Sequence, residues 1–300
     1  MTATPPRLSV IMTADGPLSN DPISLVAAAA NRVGQGVEII LIHSSDEPPS
    51  EEIARKYSDF IVVRLPGATA LPGLLAAALA RASGEIIAIT DATCGVAEDW
   101  MSEILKAHEA PHPVIGGSVE PDGLRDIVNW AAYFCDYGQF MRPLREGGAS
   151  ELPGNNISVK RWVLEHGKEF VAPHFWKAYW CRRLQAEGIR LHSVPSIVVY
   201  YRKSFGFVPY LFHRFHSGRC FAGIRLRELS RLRRAFYVAA APALPIVLTA
   251  RMLRRTLGKR RHLTELALSL PISLLAIVCW ALGELCGYLT GPGVSCDHVR

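Results

Sequence analysis

Four short apolar runs, each closed by polar or acidic residues and parted from the next by a helical stretch, constrain this chain more than any other feature. They are LSVIMTA at 8–14, VEIILI at 37–42, the run from Phe60 to Val63, and EIIAIT at 85–90. The first is broken by Asp15-Gly16-Pro17, the second closes at His43-Ser44-Ser45-Asp46, and the fourth stops at Asp91. Unbroken apolar runs of this length are typical of strands covered on both faces. Between them, 22–33, 51–57 and 71–82 have helical character; the last carries Pro in its first turn and is closed by Gly84. This alternation predicts an α/β fold with a doubly wound, mostly parallel sheet. Such sheets bind ligands at the carboxyl ends of their strands, so residues 13–15, 43–46 and 91–94 are expected to meet around one crevice.

Downstream, a helix is expected near 99–108 and a strand at 114–117. Residues 123–150 are rich in aromatics, and 146–154 read as a loop. NNISVK at 155–160 leads into a helix at about 161–167. A further helix is expected at about 174–187, closed by Gly188, with a strand at 197–201. No internal repeat is visible.

Composition matters most for the tail. Hydrophobic residues are 49% of the 300 and charged residues 20%, and the mean hydropathy is +0.16. That is too apolar for an ordinary soluble enzyme and too polar for a multi-span transporter. Residues 235–250 give 16 uncharged positions interrupted by Pro242 and Pro245; residues 266–283 give 18. Spanning a bilayer takes about 20 apolar residues, so the second segment is nearly long enough and the first is short. Between Arg219 and His262 stand twelve Lys and Arg against one acid, Glu228. This block brackets an apolar segment without the alternating aromatics that stack bases, which favours lipid headgroups over nucleic acid. The two segments could instead be buried helices of a soluble domain, but the basic flanks argue against that. A first segment that crossed fully would put its two Arg clusters on opposite faces, against the positive-inside tendency. A re-entrant first segment keeps both clusters and the catalytic domain on the cytoplasmic side, with the second either crossing or returning. The organisation expected is thus a domain over 1–220, then a basic linker and membrane-associated helical tail over 221–300. Seven cysteines without CxxC spacing read as reduced thiols rather than a disulfide framework, and no secretory signal is apparent at the N-terminus.

The strand-end pattern also carries a family likeness. SVIMTADGP (9–17), EIILIHSSDE (38–47) and ARASGEIIAITDATC (80–94) resemble the nucleotide-sugar half of family 2 glycosyltransferases. PGNNISVKRWVL (153–164) is similar to the family's acceptor-side block. HFWKAYWCRRLQAEG (174–188) is similar to its acceptor-side helix, and the paired C-terminal segments resemble those of membrane-attached members. The likeness covers nearly the whole chain and implies a GT-A fold, with a sugar moved from a nucleotide-diphosphate donor.

Under that likeness, Asp91 takes the first Asp of the family's D-x-D motif, with Thr93 in the second place. A divalent cation, Mg²⁺ or Mn²⁺, held there would neutralise the departing diphosphate. Thr13 and Asp15 fall where the first loop touches the nucleotide; His43 and Ser44 replace the family's paired acids, with Asp46 two positions on. Leu75 and Ala76 stand where many members carry Arg and Asn. Asn155 and Asn156 fall in the acceptor-side block. An inverting member would place an Asp at Lys177 as general base, and a lysine of ordinary pKa is protonated and cannot serve. Glu169 and His174 are the nearby substitutes. A polyprenyl-phosphate acceptor would need no base, because its nucleophilic oxygen is already anionic, and Lys177, Arg182 and Arg183 would then hold its phosphate. Two function classes follow: a transferase acting on a lipid-linked or membrane-proximal acceptor, or a non-catalytic relative acting as a binding or scaffold protein. A transporter is disfavoured, since the tail has no intramembrane polar pair beyond Glu284.

Overall fold

The computed structural model describes residues 6–16, 18–67, 69–166, 177–226 and 229–299. The chain divides into two compact units, one formed by residues 1–122 and 142–202, the other by 123–141 and 203–300.

The first unit is built on one sheet, with nine strands among the described residues. The strands are β1 (Leu8–Asp15), β2 (Val37–Ser44), β3 (Ile61–Leu65), β4 (Ile86–Asp91), β5 (Cys94–Val96), β6 (Val114–Pro121), β7 (Gly147–Ala149), β8 (Ile157–Lys160) and β9 (Leu191–Tyr201). Their order is β3-β2-β1-β4-β8-β6-β9-β5, with β7 paired to β9. The first four strands run parallel, as their unbroken apolar runs predict. β8 enters antiparallel between β4 and β6, and β6 then runs parallel to β9. The sheet is therefore mixed but mostly parallel, as expected.

Helices cover it: α1 (Asn20–Val33), α2 (Glu51–Lys56), α3 (Leu71–Leu79), α4 (Trp100–Ala107), α6 (Arg161–His166) and α7 (Lys177–Ala186), while α5 (Ile127–Asp136) belongs to the second unit. Ile40, Ile42, Ile87 and Ile89 on one face of the sheet pack with Leu74, Leu75 and Ala78 of α3 and Trp180, Cys181 and Leu184 of α7. Leu75 is part of this core. At the amino end of the strands, Gly84 donates to Ser9 Oγ (2.7 Å) and to Glu38 Oε1 (3.1 Å). A Cβ at Gly84 would lie 2.6 Å from the Ser9 nitrogen, so only glycine lets the chain enter β4 this closely. Gly117 is tighter still: a Cβ there would lie 1.9 Å from the Ile197 carbonyl, at the irregularity where β6 shifts register against β9.

Three local expectations are revised. The segment at 146–154 contains β7, a short strand that sequence cannot flag because Gly147-Gly148-Ala149 has no strand propensity of its own. The last strand begins at Leu191 rather than 197. The aromatic stretch contains α5, capped by Asp126, whose carboxylate accepts from the Val128 and Asn129 amides (both 2.9 Å).

The second unit is helical. α8 (Phe207–Arg225), α9 (Arg231–Ala240), α10 (Leu244–Leu257) and α11 (Leu263–Thr290) follow in order, and residues 293–298 form a 3₁₀ turn. Two stretches, Arg231–Leu257 and Leu263–Thr290, are long and apolar enough to cross a membrane. α8 and α11 meet through small residues. A Cβ on Gly283 would lie 2.1 Å from the Phe215 carbonyl, and one on Gly218 2.2 Å from the Trp280 carbonyl. The cysteine expectation fails here: Cys220 and Cys296 form a disulfide across 76 residues of sequence. That pairing comes from α8 and the 3₁₀ turn packing together, which spacing alone does not reveal.

Candidate functional site

The parallel ladder sets which residues share the carboxyl end of the sheet. Thr13 sits opposite Asp91 across β1 and β4, while Ala14 and Asp15 sit opposite His43 and Ser44 across β1 and β2. The strand ends are stitched together. The Ala92 amide donates to the Thr13 carbonyl (2.7 Å) and Thr13 Oγ1 to the Thr90 carbonyl (3.4 Å). Ser44 Oγ donates to Asp15 Oδ1 (3.2 Å). Asp46 lies farther out, exposed, where Oδ1 accepts from the Gly67 amide (3.0 Å).

Asp91 ends β4 half-buried. Its Oδ1 accepts from both the amide (2.7 Å) and the hydroxyl (2.6 Å) of Thr93. This turn holds the carboxylate through Oδ1. Thr93, in the second place of the motif, thus orients Asp91 rather than adding a carboxylate. Among the described residues no three His, Cys, Asp or Glu side chains converge on a metal-sized site. A hard divalent cation needs only one or two protein oxygens when a diphosphate supplies others, and Asp91 fits that requirement as a single ligand.

His43 is 1% exposed and neither ring nitrogen has a partner among the described residues. Burial lowers its pKa, and the charge of Arg64 on the neighbouring strand pushes the same way. It is therefore a neutral imidazole with one unspent donor and one unspent acceptor, at a strand end where ligands bind in such sheets. Burying polar atoms unpaired costs on the order of 1–3 kcal/mol.

The two asparagines at 155 and 156 have different surroundings. Asn156 Nδ2 donates to the carbonyls of Ser118 (2.8 Å) and Ile197 (2.9 Å), and its Oδ1 accepts from Trp100 Nε1 (2.9 Å). It ties α4, β6 and β9 together. Asn155 Nδ2 donates to Cys94 Sγ (3.2 Å), three residues after Asp91, while its buried Oδ1 has no partner. Lys177 is the first residue of α7; Arg182 and Arg183 lie exposed on that helix, with Arg183 Nε 3.4 Å from Glu187. Glu169 and His174 lie outside the described residues.

Two residues stand out only in three dimensions. Trp100 anchors Asn156. Arg202, directly after β9, donates to Asp21 at the start of α1 (2.7 Å) and to Asp122 after β6 (2.6 Å), linking three loops at the carboxyl end of the sheet. A single arginine after a strand carries no sequence signal of such a role.

Residues 24–158 match the family model described as glycosyl transferase family 2. No curated protein matches the chain. Among solved structures, the mannosyltransferase PcManGT from Pyrobaculum calidifontis, in complex with GDP-Man and Mn²⁺, aligns with a TM-score of 0.57 at 14% identity, covering 96% of this chain and 88% of that one. S. aureus TarS 1–349 in complex with UDP-GlcNAc aligns with a TM-score of 0.51 at 12% identity, covering 67% and 59%. The likeness at these identities is one of fold, and that fold is the GT-A type.

Proposed function

We propose, from the family 2 glycosyltransferase domain that this chain carries, that it moves a hexosyl group from a nucleoside-diphosphate sugar to a lipid-linked phosphate at a membrane surface, with inversion. The observation that carries the reading is Asp91, held by the Thr93 turn at the end of β4 beside Thr13. Thr13, Asp15, His43, Ser44 and Asp46 would receive the nucleotide, with the neutral His43 imidazole offered to the base edge. Asp91 would hold Mg²⁺ or Mn²⁺, which when bound offsets charge developing on the diphosphate leaving group. Mn²⁺ accompanies GDP-Man in the Pyrobaculum neighbour, which is consistent with this assignment.

The acceptor follows from what replaces a base. Lys177 stands at the start of α7 where inverting relatives carry a carboxylate. An anionic phosphate oxygen attacks the anomeric carbon without losing a proton, so no base is required, and Lys177, Arg182 and Arg183 are assigned to hold that phosphate. The apolar tail and its basic flanks suit an acceptor that resides in lipid.

The test supplies labelled nucleotide sugars and Mn²⁺ to the full chain with polyprenyl phosphate, and measures label extracted into organic solvent. Transfer is expected, with Asp91→Asn losing about 100-fold or more and Lys177→Ala raising KM for the lipid phosphate. Unchanged transfer by Lys177→Ala would remove the phosphate-acceptor assignment. Nucleotide binding without any transfer would favour the scaffold reading, for which Thr93 in place of a second acid is the specific support.

A further inference from the structure

The helical unit holds two helices of spanning length, 27 and 28 residues. At about 1.5 Å per residue the longer reaches about 42 Å, beyond the ~30 Å hydrocarbon core. Length and composition therefore allow crossing, but the contacts within the helical unit oppose it.

We propose that neither helix crosses the bilayer: α9–α10 and α11 lie in the plane of one leaflet of an anionic membrane, their apolar faces down and their polar faces toward the compartment that holds the transferase domain.

The disulfide comes first. A covalent bond between Cys220 and Cys296 places both on one side of any membrane, so the chain between them crosses an even number of times. One helix crossing alone is excluded. If both crossed, the turn at 258–262 would lie on the opposite side from the disulfide.

That turn is held by the segment 123–141. Lys259 Nζ donates to the Met141 carbonyl and Arg255 to the Gln139 side chain. The His262 ring lies 4.9 Å from Trp130. Both ends of 123–141 continue directly into the transferase domain, at Asp122 and at Arg142. To follow the turn across a membrane, this segment would have to cross and return. α5 has ten residues, about 15 Å of helix, and after Met141 the chain reads Arg-Pro-Leu-Arg-Glu. Neither can span. Residues 203–220, which join the disulfide to the transferase domain, carry Lys203, His213, Arg214, His216 and Arg219 and are not among the stretches apolar enough to cross. The turn and the disulfide are thus both on the transferase side, at opposite ends of a ~42 Å helix.

The faces of α11 agree. α8, with His213, Arg214, His216 and Arg219, packs along its second half, and α5 along its first. Opposite them, Leu268, Leu275, Val278 and Leu282 are exposed, and Phe236 and Ile246 extend the apolar surface on α9 and α10. The acids of α11, Glu265 and Glu284, are off this stripe: Glu265 is half-buried beside His262, and Glu284 is buried, taking hydrogen bonds from Trp280 and Tyr288. Exposed Arg231, Arg233, Arg251 and Arg254 border the apolar surface. An apolar face rimmed by arginine suits an interfacial helix on an anionic leaflet. The inference rests on chain connectivity and on contacts inside the helical unit, so it stands apart from the transferase reading.

Spin labels at Leu268, Leu275 and Leu282, introduced as a genetically encoded amino acid that leaves the cysteines intact, test it. The full chain is reconstituted in vesicles of phosphatidylethanolamine and phosphatidylglycerol, and label depth is read from oxygen and nickel-chelate collisions. A flat, shallow profile across the three positions is expected. A profile deepest at Leu275 with shallow ends would overturn the proposal in favour of crossing, and labels that stay aqueous would overturn membrane seating altogether. As a label-free measure, trypsin added outside sealed vesicles should reach the 258–262 turn whenever it reaches the transferase domain; protection of the turn alone until detergent is added would contradict the in-plane arrangement.

Discussion

Two buried histidines illustrate how differently one residue type is used in this sheet. His43 leaves both nitrogens without a partner among the described residues, at the carboxyl end of β2. His108 is fully employed. Its Nδ1 lies 3.2 Å from the His112 carbonyl, which can only accept, so Nδ1 carries the proton and Nε2 accepts from Ser158 Oγ (2.9 Å). Burial lowers the His108 pKa to about 4, against the partial opposition of the His112 carbonyl and with help from the charge of Lys160. The unfolded chain binds a proton near pH 6.5 while the folded one resists until about 4, so stability is full above 6.5 and drains as pH falls between those values. The loss amounts to roughly 3 kcal/mol. Urea midpoints measured from pH 7 to 4.5 should fall steeply, and His108→Gln, which keeps a donor and an acceptor without titrating, should flatten the slope. The lowered pKa values of His43 and His192 act in the same direction, so the slope should shrink without vanishing.

At the scale of elements, legibility follows how local the determinant is. β1, β2 and β4 were readable because each is a continuous apolar run, largely buried and closed by a polar residue, and β3 was readable from its apolar run although it exposes Ile61 and Val62 at the sheet edge. The ladder then put Thr13, His43, Ser44 and Asp91 at one end as expected. β7 and the first half of β9 were not readable, because pairing rather than propensity makes them strands. The framework role of Asn156 and the loop-linking role of Arg202 depend on partners 38 to 181 residues away, which no local pattern encodes. The same holds for the α8–α11 contact. Glycines 283 and 287 read in sequence as helix-weakening residues, yet they admit backbone carbonyls of α8. Gly283→Val should force the two helices apart and cost about 1–3 kcal/mol. Thermal unfolding of the purified full chain would register this as a lower midpoint, and an unchanged midpoint would mean the helices do not approach as closely as described.

For the whole molecule, a basic charge and an apolar tail accompany a GT-A fold whose fourth strand ends on a single carboxylate, Asp91. Function then turns on whether Asp91 alone suffices. The most direct measurement is the thermal midpoint of the detergent-solubilised full chain against UDP-, GDP- and dTDP-sugars, with and without Mn²⁺, for wild type and Asp91→Ala. Binding to the native state at 100 times Kd stabilises by about 2.7 kcal/mol, which is readily seen as a higher midpoint. The account predicts such a rise for one nucleotide class, dependent on Mn²⁺ and abolished in Asp91→Ala; no rise with any nucleotide sugar at millimolar concentration would contradict it.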